Sequence, residues 1–141
     1  MKKKTGRPRH IESVDHLKDL WEAYKKEVKS KPYQLKDWVG GMGKCVIRER
    51  EKPLIIEGFY CFVRDLGVIT TLKDYFSNRG NSFEEFVPLC SHIREEIRVD
   101  QISGGMANIY NTSITQRLNN LSERTETLIV EQPLFPDNNK E

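Results

Sequence analysis

The sequence predicts a mainly α-helical chain with one β-hairpin and a separate C-terminal strand, and three observations lead to this fold class. Apolar residues recur at helical spacing through most of the chain. A glycine-rich turn, "GGMG", separates two extended segments. A short β-branched and apolar run, "TLIV", follows the last helical stretch. With 141 residues, the chain is long enough for one domain with tails.

The N-terminal end, "MKKKTGRPRH", is the most basic stretch of the chain. Residues 1–36 carry 11 basic and 5 acidic side chains, whereas residues 37–141 carry 12 basic and 16 acidic ones. This asymmetry favours an anionic partner at the N-terminus. Residues 1–12 are predicted to be a disordered basic arm, because they offer almost nothing to bury. A solubilising tail is the alternative interpretation. The candidate DNA contacts in the arm are Lys2, Lys3, Lys4, Arg7 and Arg9.

A helix and a hairpin are predicted to follow the arm, inside a helical core that spans residues 13–122. Ser13 is placed to cap a helix from about Val14 to Ser30, which Pro32 ends. The extended segments on either side of "GGMG" predict a β-hairpin over residues 33–51. Neither face of this hairpin is convincingly apolar, so it is expected to lean on something outside itself, such as a neighbouring subunit. The apolar face of the helix comprises Val14, Leu17, Leu20, Trp21, Tyr24 and Val28.

Residues 54–80 have the pattern of a helix-turn-helix. The first helix has an apolar face, Gly67 supplies a tight turn, and Thr70 or Thr71 is placed to cap a second helix that ends near Gly80. This second helix, about residues 71–78, is predicted to offer secondary DNA contacts, although a purely structural helical corner is an equal alternative. The apolar face is Leu54, Phe59, Phe62, Val63 and Leu66, and the secondary DNA candidates are Thr71, Lys73 and Arg79.

The C-terminal third is predicted to hold two more helices and a strand. "SFEE" at Ser82 indicates a capping box for a helix through about Ser103, with a kink or late start at Pro88 and a break at Gly104 and Gly105. Residues 123–141 are predicted to form a lone strand and an acidic tail. A lone strand exposes unpaired backbone, so it favours a partner from another chain. The inward residues expected on the two helices are Phe86, Cys90, Ile93, Ile97, Ile109, Ile114, Leu118 and Leu121, and the oligomerisation candidates are Leu128, Ile129 and Val130.

No motif in the sequence supports catalysis, so we expect no enzyme. The carboxylate pairs Glu84-Glu85 and Glu95-Glu96 are adjacent in sequence, and adjacent helical residues point in different directions. Arg94 and Arg98 flank the second pair, which favours a solvated ion-pair face over an acid/base site. A nuclease that uses these glutamates is the remaining enzymatic hypothesis.

Metal, cofactor, disulfide and membrane sites are likewise not predicted. The cysteines lack a CxxC pair, and no carboxylate or cysteine stands at ligand spacing beside a histidine, so neither a metal nor a cofactor is expected. Cys61 and Cys90 are expected to be reduced and packed among apolar neighbours. The chain has no run of about 18 apolar residues and no apolar region behind its basic start, which predicts a cytoplasmic protein without a membrane partner. The histidines and cysteines of the chain are His10, His16, His92, Cys45, Cys61 and Cys90.

The order of these elements resembles the small terminase subunit of tailed bacteriophages, in its headful-packaging branch. The likeness covers about residues 5–130. It is carried best by the corner of Gly58, Phe59, Phe62 and Gly67 and by the segment "ANIYNTSITQRL" at residues 107–118. The tail "EQPLFPDNNKE" departs from relatives that have a basic C-terminal tail, because it is net acidic.

The resemblance implies a non-enzymatic DNA-recognition subunit in the host-cell cytoplasm. It implies a homo-oligomeric ring, of about nine subunits, with a projecting hairpin and C-terminal strands that pair between subunits. Such a ring recognises the packaging-initiation site on double-stranded viral DNA and regulates the large terminase subunit, which holds the ATPase and nuclease activities. The alternative from a different class is a dimeric helix-turn-helix transcriptional regulator, and assembly state discriminates between the two.

Overall fold

The computed structural model describes residues 10–69 and 71–121 of the chain. The described residues are mainly helical and include one two-stranded antiparallel hairpin, as predicted. The predicted C-terminal strand lies outside the described residues. The elements are α1 (Val14–Ser30), β1 (Tyr33–Val39), β2 (Lys44–Arg50), α2 (Ile56–Asp65), α3 (Lys73–Phe76), α4 (Val87–Met106) and α5 (Thr112–Leu118), with 3₁₀ turns at Arg79–Asn81 and Glu84–Phe86.

Helix α1 has the bounds and the cap that the sequence predicts. The Oγ atom of Ser13 accepts a hydrogen bond of 3.1 Å from the main-chain N–H of His16, which satisfies one free donor of the first turn. Leu17, Trp21 and Tyr24 on its apolar face are buried. Ile11, assigned to the basic arm from the sequence, is fully buried as well, so the packed structure includes residues just before the cap.

The core lies between α1, α2, α3 and α4 and is rich in aromatic side chains. The ring of Phe59 on α2 stands edge-on to Trp21, with the ring centroids 5.1 Å apart. Tyr75 on α3 makes a similar contact with Phe86, at 5.0 Å. Such edge-to-face pairs add about 0.5–1.5 kcal/mol beyond the burial of their area. One predicted core residue is wrong: Leu66 follows the last turn of α2 and is 55% exposed.

The hairpin is held by its turn and ladder rather than by a core. Residues 40–43 form the loop, with a hydrogen bond of 3.0 Å from the N–H of Gly43 to the carbonyl of Gly40. Both glycines have positive φ, which other residues adopt at a cost. Side chains on both faces remain exposed, and Trp38 is 69% exposed.

Four helices end with a residue in the left-handed conformation, and this explains two wrong boundaries. Gly67 follows α2, whereas asparagines at positions 78, 108 and 120 follow α3, α4 and α5. Helix α3 has only four residues and no side-chain cap, so the predicted helix over 71–78 is wrong in length. Helix α4 continues through Gly104 and Gly105 to Met106, so the predicted break at the glycines is also wrong.

Helix α4 begins at Val87, later than the start at Ser82 that the sequence predicts. The Oγ atom of Ser82 donates to the carbonyl of Gly80 at 3.4 Å, and the segment Glu84–Phe86 forms a 3₁₀ turn. The helix begins at Val87, with Pro88 in its first turn, where a missing N–H costs no intrahelical hydrogen bond. The late start predicted at Pro88 is therefore confirmed.

Gly104 and Gly105 serve packing rather than helix termination. A Cβ atom at Gly104 would collide with the ring of Tyr110, and one at Gly105 would approach the Cγ2 of Thr115 to 2.8 Å. Helix α5 therefore presents Thr115 and Asn119 to α4, and both are buried. Its apolar residues point away from the core, so the predicted inward positions are wrong for Ile109, Ile114, Leu118 and Leu121, which are all exposed.

Lys29, in the last turn of α1, joins four separate parts of the chain. Its Nζ atom donates to Asp100 Oδ1 on α4 at 2.5 Å and to the hydroxyl of Tyr110 at 2.9 Å. The same atom forms an ion pair of 3.0 Å with Glu51 and a hydrogen bond of 3.2 Å with the carbonyl of Lys52. Burial alone would lower the pKa of Lys29, but the bonds to Asp100, Tyr110 and Glu51 outweigh it and raise the pKa. The base of the hairpin is thereby tied to α1 and α4.

The glycine contacts predict the effect of a single methyl group. Gly104→Ala should lower the free energy of unfolding by about 1–3 kcal/mol, the usual cost of overpacking, although alanine is the better helix former. The reason is that Tyr110 is held by Lys29 and Asp100 and has little room to retreat. Urea unfolding followed by tryptophan fluorescence measures the difference. Gly41→Ala is the matched control, since nothing lies within 4 Å of a Cβ there; equal stability of the two variants would contradict the packing role.

Candidate nucleic-acid interface

The excess of positive over negative charge in this chain lies in residues 1–9, before the described part. Residues 10–121 carry 16 lysines and arginines and 16 aspartates and glutamates, whereas residues 1–9 carry five basic side chains and no acidic one. The arm candidates Lys2, Lys3, Lys4, Arg7 and Arg9 lie outside the described residues, as do Thr70 and the oligomerisation candidates Leu128, Ile129 and Val130. The body therefore offers a polyanion little net attraction.

The helix-turn-helix-like corner brings the three secondary DNA candidates to one exposed end of the core. Thr71 and Lys73 precede and begin α3, and Arg79 begins the 3₁₀ turn that follows it. A guanidinium nitrogen of Arg79 lies 3.5 Å from Asp74 Oδ1, so a carboxylate on α3 partly neutralises it. With four residues, α3 is too short to present several successive side chains along a major groove.

Two arginines on α4 were missed as candidate anion contacts. Arg94 donates to the carbonyl of Phe76 at 2.9 Å, and Arg98 donates to the carbonyl of Asn119 at 3.1 Å. Within residues 10–69 and 71–121, neither guanidinium forms an ion pair. They line one groove of about 460 Å³ together with Glu57. Their four-residue spacing, which places both on one helix face, can be recognised in the sequence. The adjacent glutamates instead favoured an ion-pair interpretation of the two arginines.

Glu96 lies at the edge of the core, where it pairs with basic side chains and also accepts a hydrogen bond from a buried tryptophan. Its carboxylate accepts a short hydrogen bond from Nε1 of Trp21 and further bonds of 3.2 and 3.3 Å from Nζ of Lys25. Burial of the carboxyl would raise its pKa, but the donors Trp21 and Lys25 outweigh burial and lower the pKa of Glu96. The predicted ion-pair face is therefore present at Glu96, but its partners are Lys25 and His92 rather than the flanking arginines.

The cysteines differ from each other in their surroundings. Cys90 is buried, and burial raises the pKa of its thiol to about 11, which makes it unreactive at neutral pH. Cys61 is exposed, so the predicted packing role for this cysteine is wrong. In the described part of the chain, no cluster of three histidine, cysteine or acidic side chains is arranged to hold a metal ion.

A search of the described helices for a membrane span finds none that is long and apolar enough. Among known proteins, no family model and no curated sequence matches this chain.

The contacts of Glu96 predict a pH dependence of stability. A carboxyl whose pKa is lower in the folded than in the unfolded state stabilises the fold above its unfolded pKa, and this contribution is lost as the pH falls through the folded value. Glu96→Gln should therefore lower the free energy of unfolding by about 1–2 kcal/mol near pH ~7, and by much less near pH ~3. Urea unfolding at the two pH values measures this difference. Glu95→Gln, at the exposed neighbouring position, is the control. If Glu96→Gln lowered the free energy of unfolding by the same amount at both pH values, the stabilising role of the Glu96 carboxylate would be contradicted.

Proposed function

We propose that this protein is the small terminase subunit of a phage packaging motor. It recognises double-stranded viral DNA at the packaging-initiation site, in the host-cell cytoplasm. It also regulates the ATPase and nuclease of the large subunit and has no catalytic activity or cofactor of its own. The observation that carries the proposal is the separation of charge, since a basic arm is attached to a body with equal numbers of acidic and basic side chains.

The arm supports DNA recognition by its composition. Arg7 stands between Gly6 and Pro8, so a guanidinium is offered on an extended backbone that can approach a narrow minor groove closely. Lys2, Lys3, Lys4 and Arg9 supply charges for phosphates. Thr71, Lys73 and Arg79 at the corner are secondary contacts, which Asp74 weakens.

The exposed hairpin supports assembly into a ring. Trp38 and Ile47 lie exposed on the same strand face, diagonally across the ladder, and the hairpin has no core of its own to cover them. Large apolar side chains left open in this way favour contact with another protein surface. In the proposed ring the segment Leu128, Ile129 and Val130 pairs with the same segment of neighbouring subunits, which satisfies strand edges that a single chain leaves open.

The alternative, a dimeric helix-turn-helix transcriptional regulator, receives less support from the corner. A regulator of that class reads base edges from a second helix laid in the major groove. Here the second helix has a single turn, and its exposed Lys73 stands next to Asp74. Two-fold reading of half-sites also requires a dimer, so assembly state separates the two functions.

The proposed ring predicts a large particle in solution. Light scattering coupled to size exclusion at micromolar concentration should give a mass several times the 16.5 kDa of one chain, with a single narrow peak, because closed symmetry fixes the subunit number. A monomer or a dimer would contradict the ring. Trp38→Ser and Ile47→Ser together should shift the protein toward smaller species, whereas the exposed control Val99→Ser on α4 should not.

The proposed role of the arm predicts the salt dependence of DNA binding. Replacing the five basic residues of the arm by glutamine should flatten the log-log slope of affinity against salt by about four units for each arm that contacts the duplex, because each phosphate contact contributes about 0.9. Fluorescence anisotropy with a labelled duplex at several salt concentrations measures the slope. The double variant Lys73→Gln and Arg79→Gln is the comparison and should remove about two units at most. An unchanged slope in the arm variant would place the DNA site elsewhere.

A further inference from the structure

An apolar groove lies between the base of the hairpin and α5. Tyr33 and Leu35, two residues apart on β1, form one wall, and Ile109, Ile114 and Leu118 form the other. The groove has a volume of about 310 Å³ and an almost entirely apolar lining. Ile114 and Leu118 are 57% and 64% exposed. These are the residues of α5 that the sequence placed in the core, so an apolar helix face is left without a partner among the described residues.

The rim of the groove is aromatic and carries two charged side chains, Arg50 and Glu51, of which Glu51 is paired with Lys29 at 3.0 Å. Tyr33 and Tyr110 both line it, so flat rings flank the apolar floor. Arg50 stands opposite Tyr33 in the hairpin ladder and also lines the groove. Within the part of the chain that the structure describes, Arg50 forms no ion pair. A ligand of this groove should therefore be extended, apolar in the middle and acidic beside the apolar part.

We propose that the groove binds the segment Pro133–Pro136, "PLFP", of the same chain. Leu134 and Phe135 supply the apolar side chains, and an aromatic side chain of this size buries about 150–250 Å². Glu131 and Asp137 flank the segment and are available to Arg50. Two prolines three residues apart favour the extended polyproline conformation, and aromatic-lined grooves bind such segments with little loss of chain entropy.

The position of the groove favours this occupant. The described chain ends at Leu121, three residues after Leu118, which is part of the groove wall. Eleven residues, 122–132, separate Leu121 from Pro133. Eleven residues reach at most about 40 Å when fully extended, so Pro133 cannot lie farther than that from Leu121. The segment is therefore tethered beside its site at a high effective concentration.

The proposed inter-subunit strand does not compete for this site. Leu128, Ile129 and Val130 precede Pro133, and a proline without an N–H cannot continue a strand ladder on both edges. Leu134 and Phe135 thus have no place in that strand, although they are large and apolar. The groove provides an apolar surface on which both side chains can be buried. This inference does not depend on the proposed role in DNA packaging.

A photo-crosslinking experiment on the full chain tests the proposal. Phe135 is replaced by the photoreactive p-benzoylphenylalanine, chains labelled with ¹⁴N and ¹⁵N are mixed before assembly, and crosslinked peptides are identified by mass spectrometry. We expect position 135 to crosslink to Ile109, Ile114 or Leu118, in peptide pairs of a single isotope. Pairs of mixed isotope would show that the segment of a second copy fills the groove, and they would overturn the same-chain proposal. Crosslinks only elsewhere, or none, would overturn it too.

Matched variants show whether a crosslink depends on the apolar groove. Ile114→Asp should reduce the crosslinks by about tenfold or more, because the segment would have to cover an unpaired carboxylate. Val99→Asp places the same charge at a residue on α4 that is exposed to a similar degree but lies outside the groove. It should leave the crosslinks unchanged. Equal crosslinking in both variants would overturn the groove as the binding site. Circular dichroism checks that both variants keep their helices.

Discussion

The ammonium group of Lys29 is the contact on which the arrangement of the other elements depends. It stands where the end of α1, the end of the hairpin, the middle of α4 and the turn before α5 meet. Asp100 extends the network, because its other oxygen accepts a hydrogen bond of 2.8 Å from the N–H of Leu54. Gln101 continues it, donating to the carbonyl of Leu54 and accepting from Asn119, the residue that follows α5. One network of polar contacts therefore fixes both the base of the hairpin and the position of α5 against α4.

A polar network in this position explains how the hairpin exists without a core. Removing a lysine and an aspartate from water is costly unless each is paired and hydrogen-bonded. Lys29 and Asp100 are both paired and hydrogen-bonded. Their partners belong to elements that the aromatic core already holds in place. The two strands thus need no apolar face of their own, and their side chains remain available for contact with other molecules. The same network turns α5 so that Thr115 and Asn119 face α4, which leaves its apolar side open as one wall of a groove.

The sequence predicts the elements whose signals are local and fails where the signal depends on distant partners. Helix α1 and the hairpin follow from periodicity, from Ser13 and from the glycine turn. The orientation of α5 could not be found in this way, because it is decided by Gly105 and Gln101 on another helix. The sequence predicts helix ends at glycines, whereas Asn108 and Asn120 supply the left-handed residues that follow α4 and α5. At the candidate interface the arm was visible from charge alone, but the role of Glu96 required the position of Trp21, 75 residues earlier.

Because residues 10–121 carry no net charge, a single basic arm is not expected to bind DNA tightly. Five positive charges in nine residues can make only a few phosphate contacts, and such contacts weaken steeply with salt. A body without net charge adds little attraction, so a single arm would bind DNA weakly in the cell. Linking several arms on one particle makes each later contact intramolecular and raises the overall affinity without any new contact. The proposed DNA recognition through the arm therefore requires the proposed assembly, and the exposed apolar side chains of the hairpin, Trp38 and Ile47, are the candidate contacts for it.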